Sequence, residues 1–271
     1  MASRLTTLLQ KVGRRRDNTV VKAAVRAARA LVDSYDGKAT TLSSIAHSGE
    51  ADVLRALGPA LDVVFDVGAN VGEWTRAALD GGAKSVHAFE ISPTTADELE
   101  RRYADDRRVT VNRFGLSDEA GTVALRHFPE FPKLSTTTDY PWEVESTTIE
   151  VPVRVGDDYL KETGIDRIDY LKVDVEGADE QVLRGFRDAF TRGAIGAVQF
   201  EYTRMAIVTK YLLRDFYEDM TRYGFLVGRI HRRSVAFGPY DMGMETFVDS
   251  NWLAVHESRT ELLTRLTATG R

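Results

Sequence analysis

Short apolar runs alternate with amphipathic stretches along most of this chain. The runs have the length of buried strands and lie at 62–67, 85–90, 109–113, 168–174 and 195–202. Stretches with helical periodicity lie between them, at 72–80, 94–105 and 178–191. Strands that alternate with helices are typical of a parallel sheet covered by helices on both faces, so the pattern predicts an α/β fold.

Further strands and one long loop complete the predicted sheet. Apolar runs at 121–126 and 148–154 border a segment, 127–148, that is rich in proline, serine and threonine. This segment is too long to be a mere connection, so we expect it to contact an acceptor or to close over it as a lid. After a predicted helix at 209–223, strands at 225–230 and 252–256 are expected to add an antiparallel edge.

The N-terminal part of the chain is predicted to be a helical extension of one larger domain. Helices are expected at 19–33 and 42–57, and Gly58-Pro59 is a stop signal for the second. Residues 1–58 would therefore form the extension, and residues 59–271 the domain that carries the function.

A basic composition marks the beginning of this extension. The first 30 residues contain eight lysines and arginines against one aspartate, a composition that also occurs in segments that bind nucleic acid or anionic membranes. Val21, Val25 and Leu31 recur at helical spacing. We therefore favour an amphipathic helix that packs its apolar side on the domain and leaves its charged side in water.

Composition excludes several classes of protein. The chain has 271 residues, 43% of them hydrophobic, and a net charge of −5, which suits one large α/β domain with appendages. Because it has no cysteine, a disulfide framework, a thiolate zinc site and a cysteine nucleophile are excluded. No apolar stretch has the length of a membrane span, and the N-terminus lacks the apolar core of a secretory signal, so we expect a cytoplasmic protein.

A glycine-bracketed turn follows the first predicted strand. The strand reaches Asp66, and the chain continues as Gly68-Ala69-Asn70-Val71-Gly72. Glycine lets the backbone approach a ligand that a Cβ atom would block. A dinucleotide site has the pattern G-x-G-x-x-G against a pyrophosphate, whereas this turn has G-x-x-x-G with Asn70 in the middle. The turn therefore favours a nucleotide without a pyrophosphate, such as S-adenosylmethionine.

The second predicted strand ends in an acid. Glu90 lies about twenty residues after the glycine turn. This is the spacing at which a carboxylate binds the two hydroxyls of a ribose in nucleotide-binding folds. Many α/β sheets contain a glycine-rich turn or a strand that ends in glutamate. The two signals together, in this order, predict a nucleotide site with Glu90 as the ribose ligand.

Five segments resemble the FkbM family of class I S-adenosylmethionine-dependent methyltransferases. They are 65–72, 88–90, 115–118 with Gly121, 171–179 with 182–185, and 199–201. The most specific of them reads Lys-x-Asp-x-Glu-Gly from Lys172 to Gly177. The resemblance implies a Rossmann-like, doubly wound sheet, S-adenosylmethionine as the cofactor, and contacts of Ser117 and Asp118 with the adenine ring. An ordinary turn closed by the Asp118 side chain is the alternative for that pair.

Carboxylates lie at the ends of the fourth and fifth predicted strands, at the edge where open parallel sheets bind ligands. Asp174 and Glu176 follow the fourth strand, and Glu201 lies near the end of the fifth. An alcohol is a poor nucleophile at neutral pH, so its methylation needs a base or a metal ion. We predict Asp174 as the base and Glu176 as a hydrogen-bond partner of cofactor or acceptor. Glu176 could instead stabilise the start of the next helix.

A divalent cation is the alternative role for these carboxylates. Asp174, Glu176 and Glu201 offer the oxygen ligands that Mg²⁺ prefers, although we favour a site without metal. Two basic side chains are also relevant to the predicted site. His231, near the predicted edge of the site, is a second candidate base, and its alternative is a surface position. Lys172 lies in a strand that should be buried and therefore requires a carboxylate partner.

These features together predict an S-adenosylmethionine-dependent O-methyltransferase. Its acceptor is expected to be a small polar molecule, namely a sugar of a glycan or of a glycosylated natural product. The sugar follows from the resemblance, which extends to segments 237–240, 245–247 and 251–254 of sugar-modifying members. A cofactor-binding module without turnover and a nicotinamide-dependent oxidoreductase are the alternatives. Nucleic acid is not expected as a partner, and assembly of identical copies is left open.

Overall fold

The computed structural model describes residues 18–35, 45–128, 135–139 and 145–268. Its strands are β1 (Val63–Val67), β2 (Ser85–Phe89), β3 (Val109–Asn112), β4 (Gly115–Ser117), β5 (Gly121–His127), β6 (Thr147–Val155), β7 (Tyr170–Val173), β8 (Ala197–Tyr202), β9 (Phe225–His231), β10 (Ser234–Phe237) and β11 (Ser250–His256). Its helices are α1 (Thr19–Tyr35), α2 (Ile45–Ser48), α3 (Glu50–Leu57), α4 (Glu73–Gly81), α5 (Pro93–Tyr103), α6 (Gly156–Thr163), α7 (Asp179–Arg184), α8 (Arg187–Thr191), α9 (Ala206–Thr209), α10 (Leu213–Arg222) and α11 (Thr260–Ala268).

Eight of the described strands form one sheet in the order β10-β9-β11-β8-β7-β1-β2-β3. The neighbours from β8 to β3 pair in parallel, whereas β11, β9 and β10 add an antiparallel edge. The predicted fold, a mostly parallel doubly wound sheet with an antiparallel edge, is confirmed. From β1 the chain winds outward to β2 and β3 and later returns to β7 on the other side of β1. This switch point is where open α/β sheets bind ligands.

A smaller sheet lies beside the main one. Strand β6 pairs in parallel with β4 and in antiparallel with β5. A bridge between Arg126 and Thr136 attaches the described part of the following segment to β5. The small sheet therefore holds residues 135–137 near the carboxyl end of the parallel strands.

Two apolar clusters cover the two faces of the main sheet. Successive strand residues point to opposite faces, so Phe65 lies in one cluster with Phe186 and Val64 lies in the other with Trp74. Burying a large apolar side chain contributes roughly 1.5–3 kcal/mol relative to leaving it exposed. The near-continuous apolar runs of the sequence are therefore explained by helices on both faces.

The predicted elements agree with the structure in kind, and the differences have local causes. The stretch 178–191 forms two short helices, α7 and α8, because the chain breaks at Gly185 and Phe186, where the glycine approaches the backbone of Ser117. Helices α6 and α9 and strands β4 and β10 were not predicted. The predicted helix at 42–57 is present as α2 and α3, and residues 42–44 lie outside the described residues.

The packing that we expected for the N-terminal helix is not found among the described residues. Helix α1 forms as predicted, but most of its large apolar side chains are exposed, including Val25 at 50% and Leu31 at 73%, whereas Val21 is half-buried. The sequence pattern identified an amphipathic helix but could not show what its apolar side contacts. In the part of the chain that the structure describes, no helix is both long and apolar enough to span a bilayer.

Candidate active site

A cavity of about 780 Å³ opens at the carboxyl end of the parallel strands. The glycine turn after β1, the end of β2 and the end of β7 contribute to its wall, and residues 115–117 and 135–137 line it from the small sheet. Several predicted site residues line this cavity: Gly68, Asn70, Glu90, Ser117, Asp174, Glu176 and Glu201. Most of the site residues that the sequence predicts therefore lie around one cavity in the structure.

Other predicted site residues lie away from the cavity wall. Asp66 is fully buried under it, and Thr75 donates a hydrogen bond of 2.7 Å to its Oδ2. Gly72 caps the start of α4. Asp118 is exposed and accepts a 3.2 Å hydrogen bond from the Ser117 hydroxyl. His231 ends β9, where its carbonyl packs on Gly49, and it does not line the cavity.

The glycine turn is held tightly against its neighbours. Gly68 has a φ of 80°, and a Cβ atom there would collide with the carbonyl oxygen of Asp174. The N–H groups of Gly68 and Ala69 donate to the carbonyl oxygen of Phe89 at 3.1 and 2.9 Å. Only glycine combines this conformation with so close an approach. The turn is thus fixed between β2 and β7, and its backbone faces the cavity.

Glu90 joins the glycine turn to the start of α5. One carboxylate oxygen accepts the N–H of Asn70 and the other accepts the N–H of Ser92, both at 2.8 Å. Burial raises the pKa of Glu90, and the two N–H groups oppose that shift. A carboxylate oxygen has two lone pairs, so each oxygen of Glu90 can still accept one hydroxyl. The geometry suits a pair of neighbouring hydroxyls such as those of a ribose.

Lys172 lies between two carboxylates at the switch point. Its Nζ is 3.2 Å from Asp66 Oδ1 and 3.2 Å from Asp174 Oδ2. Burial alone would lower the pKa of Lys172, but Asp174 and Asp66 more than offset this effect and hold the pKa above its usual value. Lys172 was expected to require a carboxylate partner, and it has two, Asp66 and Asp174. Lys172 therefore stays charged and cannot serve as a base near neutral pH.

Asp174, Glu176 and Glu201 form a carboxylate cluster in the cavity wall. One carboxylate oxygen from each of the three side chains lies within 4.8 Å of the other two. Burial raises the pKa of Glu176 to about 8, and the charges of Asp174 and Asp179 add to this shift. Burial, Asp174 and Glu176 likewise raise the pKa of Glu201. Glu176 therefore holds a proton near neutral pH, so the cluster can both donate a hydrogen bond to a ligand and accept hydrogen bonds from it.

The cluster converges in a way that strand alternation did not predict. Strand β7 ends at Val173, and Glu176 lies in a turn with a φ of 53°. The hydroxyl of Thr136 donates a hydrogen bond of 2.6 Å to the carbonyl oxygen of Glu176, which fixes the turn from the small sheet. The spacing of three oxygens would also suit a divalent cation, since such ions prefer carboxylate ligands.

Sequence reasoning missed a buried polar network behind the cluster. Gln199 donates through Nε2 to Glu50 at 2.6 Å and to Asn251 at 3.3 Å. Its Oε1 accepts from the Tyr170 hydroxyl at 2.8 Å and from Trp74 Nε1 at 3.3 Å. Glu50, Trp74 and Asn251 line the cavity. One available signal was the position of Gln199 two residues before Glu201, on the same side of β8.

The chain matches one family model and several named methyltransferases. Residues 66–226 match the family model of the methyltransferase FkbM domain. The chain is 33% identical over 199 residues to the hexuronic acid methyltransferase AglP of Haloferax volcanii, an alignment that covers 68% of this chain and 79% of that protein. It is 32% identical over 158 residues to the 31-O-demethyl-FK506 methyltransferase FkbM of Streptomyces tacrolimicus, covering 47% of this chain and 60% of that one.

A solved structure, methyltransferase FkbM from Methylobacillus flagellatus, is also similar. It is 18% identical, with a TM-score of 0.48, over 72% of this chain and 43% of that one. The family model matches more than half of the present chain and includes the glycine turn, Glu90 and the carboxylate cluster. The predicted methyltransferase identity is confirmed: this chain belongs to the FkbM family of methyltransferases.

Proposed function

We propose that this protein transfers the methyl group of S-adenosylmethionine to a hydroxyl of a sugar, in a glycan or a glycosylated natural product. The observation that carries the proposal is the arrangement of one cavity, in which Glu90 and the glycine turn lie beside the carboxylate cluster. The Haloferax relative is named for a hexuronic acid, which supports a sugar acceptor, and the Streptomyces relative is named for an O-methyl position, which supports methylation of an oxygen.

The residues present suit S-adenosylmethionine better than a dinucleotide. Glu90 offers two oxygens to a ribose, and Ser117 lies on the cavity wall where the resemblance implies the adenine ring. The turn from Gly68 to Gly72 lacks the third glycine of a pyrophosphate site. The cofactor would supply a methyl group on a sulfonium, ready for displacement, so the protein's tasks are to align the acceptor and to exclude water.

The protein must also accept the proton of the acceptor hydroxyl. In our proposal, a carboxylate oxygen of Asp174 takes this proton while Lys172, 3.2 Å away, stays charged. Glu176 and Glu201, whose pKa values are raised by burial, donate hydrogen bonds that hold the acceptor. General-base assistance of this kind contributes on the order of 10²- to 10⁴-fold to the rate.

A titration with three nucleotides tests the cofactor assignment. Calorimetry should show binding of S-adenosylmethionine and S-adenosylhomocysteine and no binding of NAD. Glu90→Gln should weaken both by about 10- to 100-fold, the usual cost of losing a hydrogen bond to a charged group. Glu98→Gln, on the exposed side of α5, is the matched control. Tighter binding of NAD, or equal binding by both variants, would contradict the assignment.

A turnover assay tests the reaction separately. Methyl glycosides are supplied with S-adenosylmethionine, and S-adenosylhomocysteine release is measured together with the mass of the sugar product. A mass gain of one methyl group located on an oxygen supports the proposal. If the protein binds S-adenosylmethionine but releases no S-adenosylhomocysteine with any acceptor, the alternative of a cofactor-binding module without turnover is favoured.

A further inference from the structure

Helix α1 has an exposed apolar side. Successive residues of an α-helix are about 100° apart, so Val20, Val25, Leu31 and Val32 lie within an arc of about 140° on one side of α1. Each of these four side chains is at least half exposed, and Val21, which lies between them, is half-buried. Single exposed apolar residues are ordinary on a protein surface, whereas a contiguous stripe of them indicates a contact surface.

Basic residues accompany this apolar side. Lys22 and Arg26 lie one turn apart on the polar side of α1, and both are exposed. Residues 1–35 contain eight lysines and arginines against two aspartates, a net charge of +6. The rest of the chain contains 28 lysines and arginines against 39 acids, a net charge of −11. The segment that carries α1 is therefore basic, although the remainder of the protein is acidic.

The combination of an apolar side and a basic side favours a lipid surface over other partners. A nucleic acid would pair with the basic residues, but it would leave the apolar side of α1 in water. A second copy of the chain could cover the apolar side, but two segments of like charge would then approach each other. An anionic bilayer suits both sides, because its headgroups attract lysine and arginine and its acyl region takes up apolar side chains.

We infer that α1 binds the surface of a bilayer that contains anionic lipids, with the helix axis along the surface. Lys22 and Arg26 contact the headgroups, while Val25 and Leu31 enter the boundary with the acyl chains, about 5–10 Å deep. The 17 residues of α1 extend over about 26 Å, less than the hydrocarbon core of about 30 Å. Anionic lipids repel the acidic remainder of the protein, so the contact is made through α1.

Flotation of the whole chain with lipid vesicles tests this inference. The vesicles consist of phosphatidylcholine with phosphatidylglycerol, or of phosphatidylcholine alone, in about 0.1 M NaCl. We expect the protein to float with the anionic vesicles and not with the neutral ones. Raising NaCl to about 1 M shortens the Debye length from about 10 Å to about 3 Å and should weaken the binding. A protein that does not float with the anionic vesicles, or floats equally with both kinds, would overturn the inference.

Two double variants identify the contact surface. Lys22→Gln with Arg26→Gln should weaken vesicle binding about 30-fold, since each basic side chain near an anionic surface contributes about fivefold. Val25→Gln with Leu31→Gln should weaken it at least about tenfold, because two apolar side chains no longer leave water. Glutamine is a good helix former, so α1 is retained in both variants, which circular dichroism checks.

Matched controls change the same kinds of residue elsewhere. Arg101→Gln with Arg107→Gln removes two exposed charges in and after α5, and Ile207→Gln removes an exposed apolar side chain of α9. Both controls should bind the vesicles as the wild type does. If the variant of Val25 and Leu31 also binds like the wild type, the protein is held by charge without insertion, and the inference is wrong.

Two further measurements without vesicles address the other partners. Sedimentation velocity shows whether the wild type is an oligomer that Val25→Gln with Leu31→Gln dissociates. Such dissociation would mean that a second copy covers α1, and it would overturn the inference. Titration with a DNA duplex, at the phosphate concentration of the anionic vesicles, should show weaker binding than the vesicles do. Tighter binding of the duplex would assign the basic segment to nucleic acid instead.

Discussion

Replacing Lys172 by methionine should destabilise the protein strongly, because a buried carboxylate would lose its counter-charge. The Lys172 side chain is 6% exposed and Asp66 is fully buried. Asp66 Oδ1 accepts no hydrogen bond from the described residues, so the ammonium at 3.2 Å is the group that compensates it. Methionine keeps most of the volume of lysine and removes the charge, so the change isolates electrostatics from packing.

Breaking a buried ion pair by removing one partner costs about 3–5 kcal/mol. For a domain of this size, we expect the midpoint of thermal unfolding to fall by roughly 10 °C. The second change Asp66→Asn removes the uncompensated charge, and the hydroxyl of Thr75 can still donate to the new amide oxygen. The double variant should therefore be more stable than Lys172→Met alone, with a coupling that a double-mutant cycle measures.

Urea unfolding at pH 7, followed by tryptophan fluorescence, measures these differences. The matched control is Lys84→Met, because Lys84 pairs with Asp62 at 2.6 Å on the surface, where the side chains are 69% and 52% exposed. Exposed pairs contribute little to stability, so the control should unfold close to the wild type. The reasoning is refuted if Lys172→Met is no less stable than this control, or if Asp66→Asn fails to restore stability.

Three further predictions concern the carboxylate cluster. Asp174→Asn should lower kcat on the order of 10²- to 10⁴-fold on a working acceptor while calorimetry shows similar cofactor affinity; an unchanged kcat would remove its role as base. Glu176 has a pKa of about 8 in the folded protein against 4.5 unfolded, so its protonation stabilises the fold at low pH and this stability is lost between about pH 4.5 and 8. Urea titrations across that range should show a flatter pH dependence for Glu176→Gln. EDTA should leave turnover unchanged, and a loss that Mg²⁺ restores would show that the cluster requires a cation.

The sheet could be predicted because its signals are local. Strands β1, β2, β7 and β8 are buried on both faces, so each reads as a short apolar run whatever the rest of the chain does. Carboxylates at the ends of such runs necessarily meet at one edge of the sheet. For this reason the sequence alone could predict that Glu90 and Asp174 line the same cavity, although it gives no distance between the two side chains.

Features that depend on packing between distant segments were not predictable in the same way. Glu50 and Gln199 are 149 residues apart and meet only because the N-terminal extension packs over β8. The direction of Glu176 depends on one turn with a positive φ, which alternation along a strand does not describe. The amphipathic pattern of α1 indicates a helix, but the same pattern fits a helix on the domain, on a partner or on a surface.

Lys172 contributes to the fold and to the site at once. Its ammonium group pairs with Asp66 of β1 and with Asp174 in the cavity wall. These two ion pairs connect β7, which carries Lys172, to β1 at the switch point. A variant at Lys172 that loses activity would therefore not show whether stability or chemistry was affected. The Asp174 side chain is 33% exposed and, unlike Lys172, does not compensate the charge of a fully buried residue. The mechanism is better tested at Asp174 and Glu176, where a neutral isostere changes the cavity and leaves Asp66 compensated.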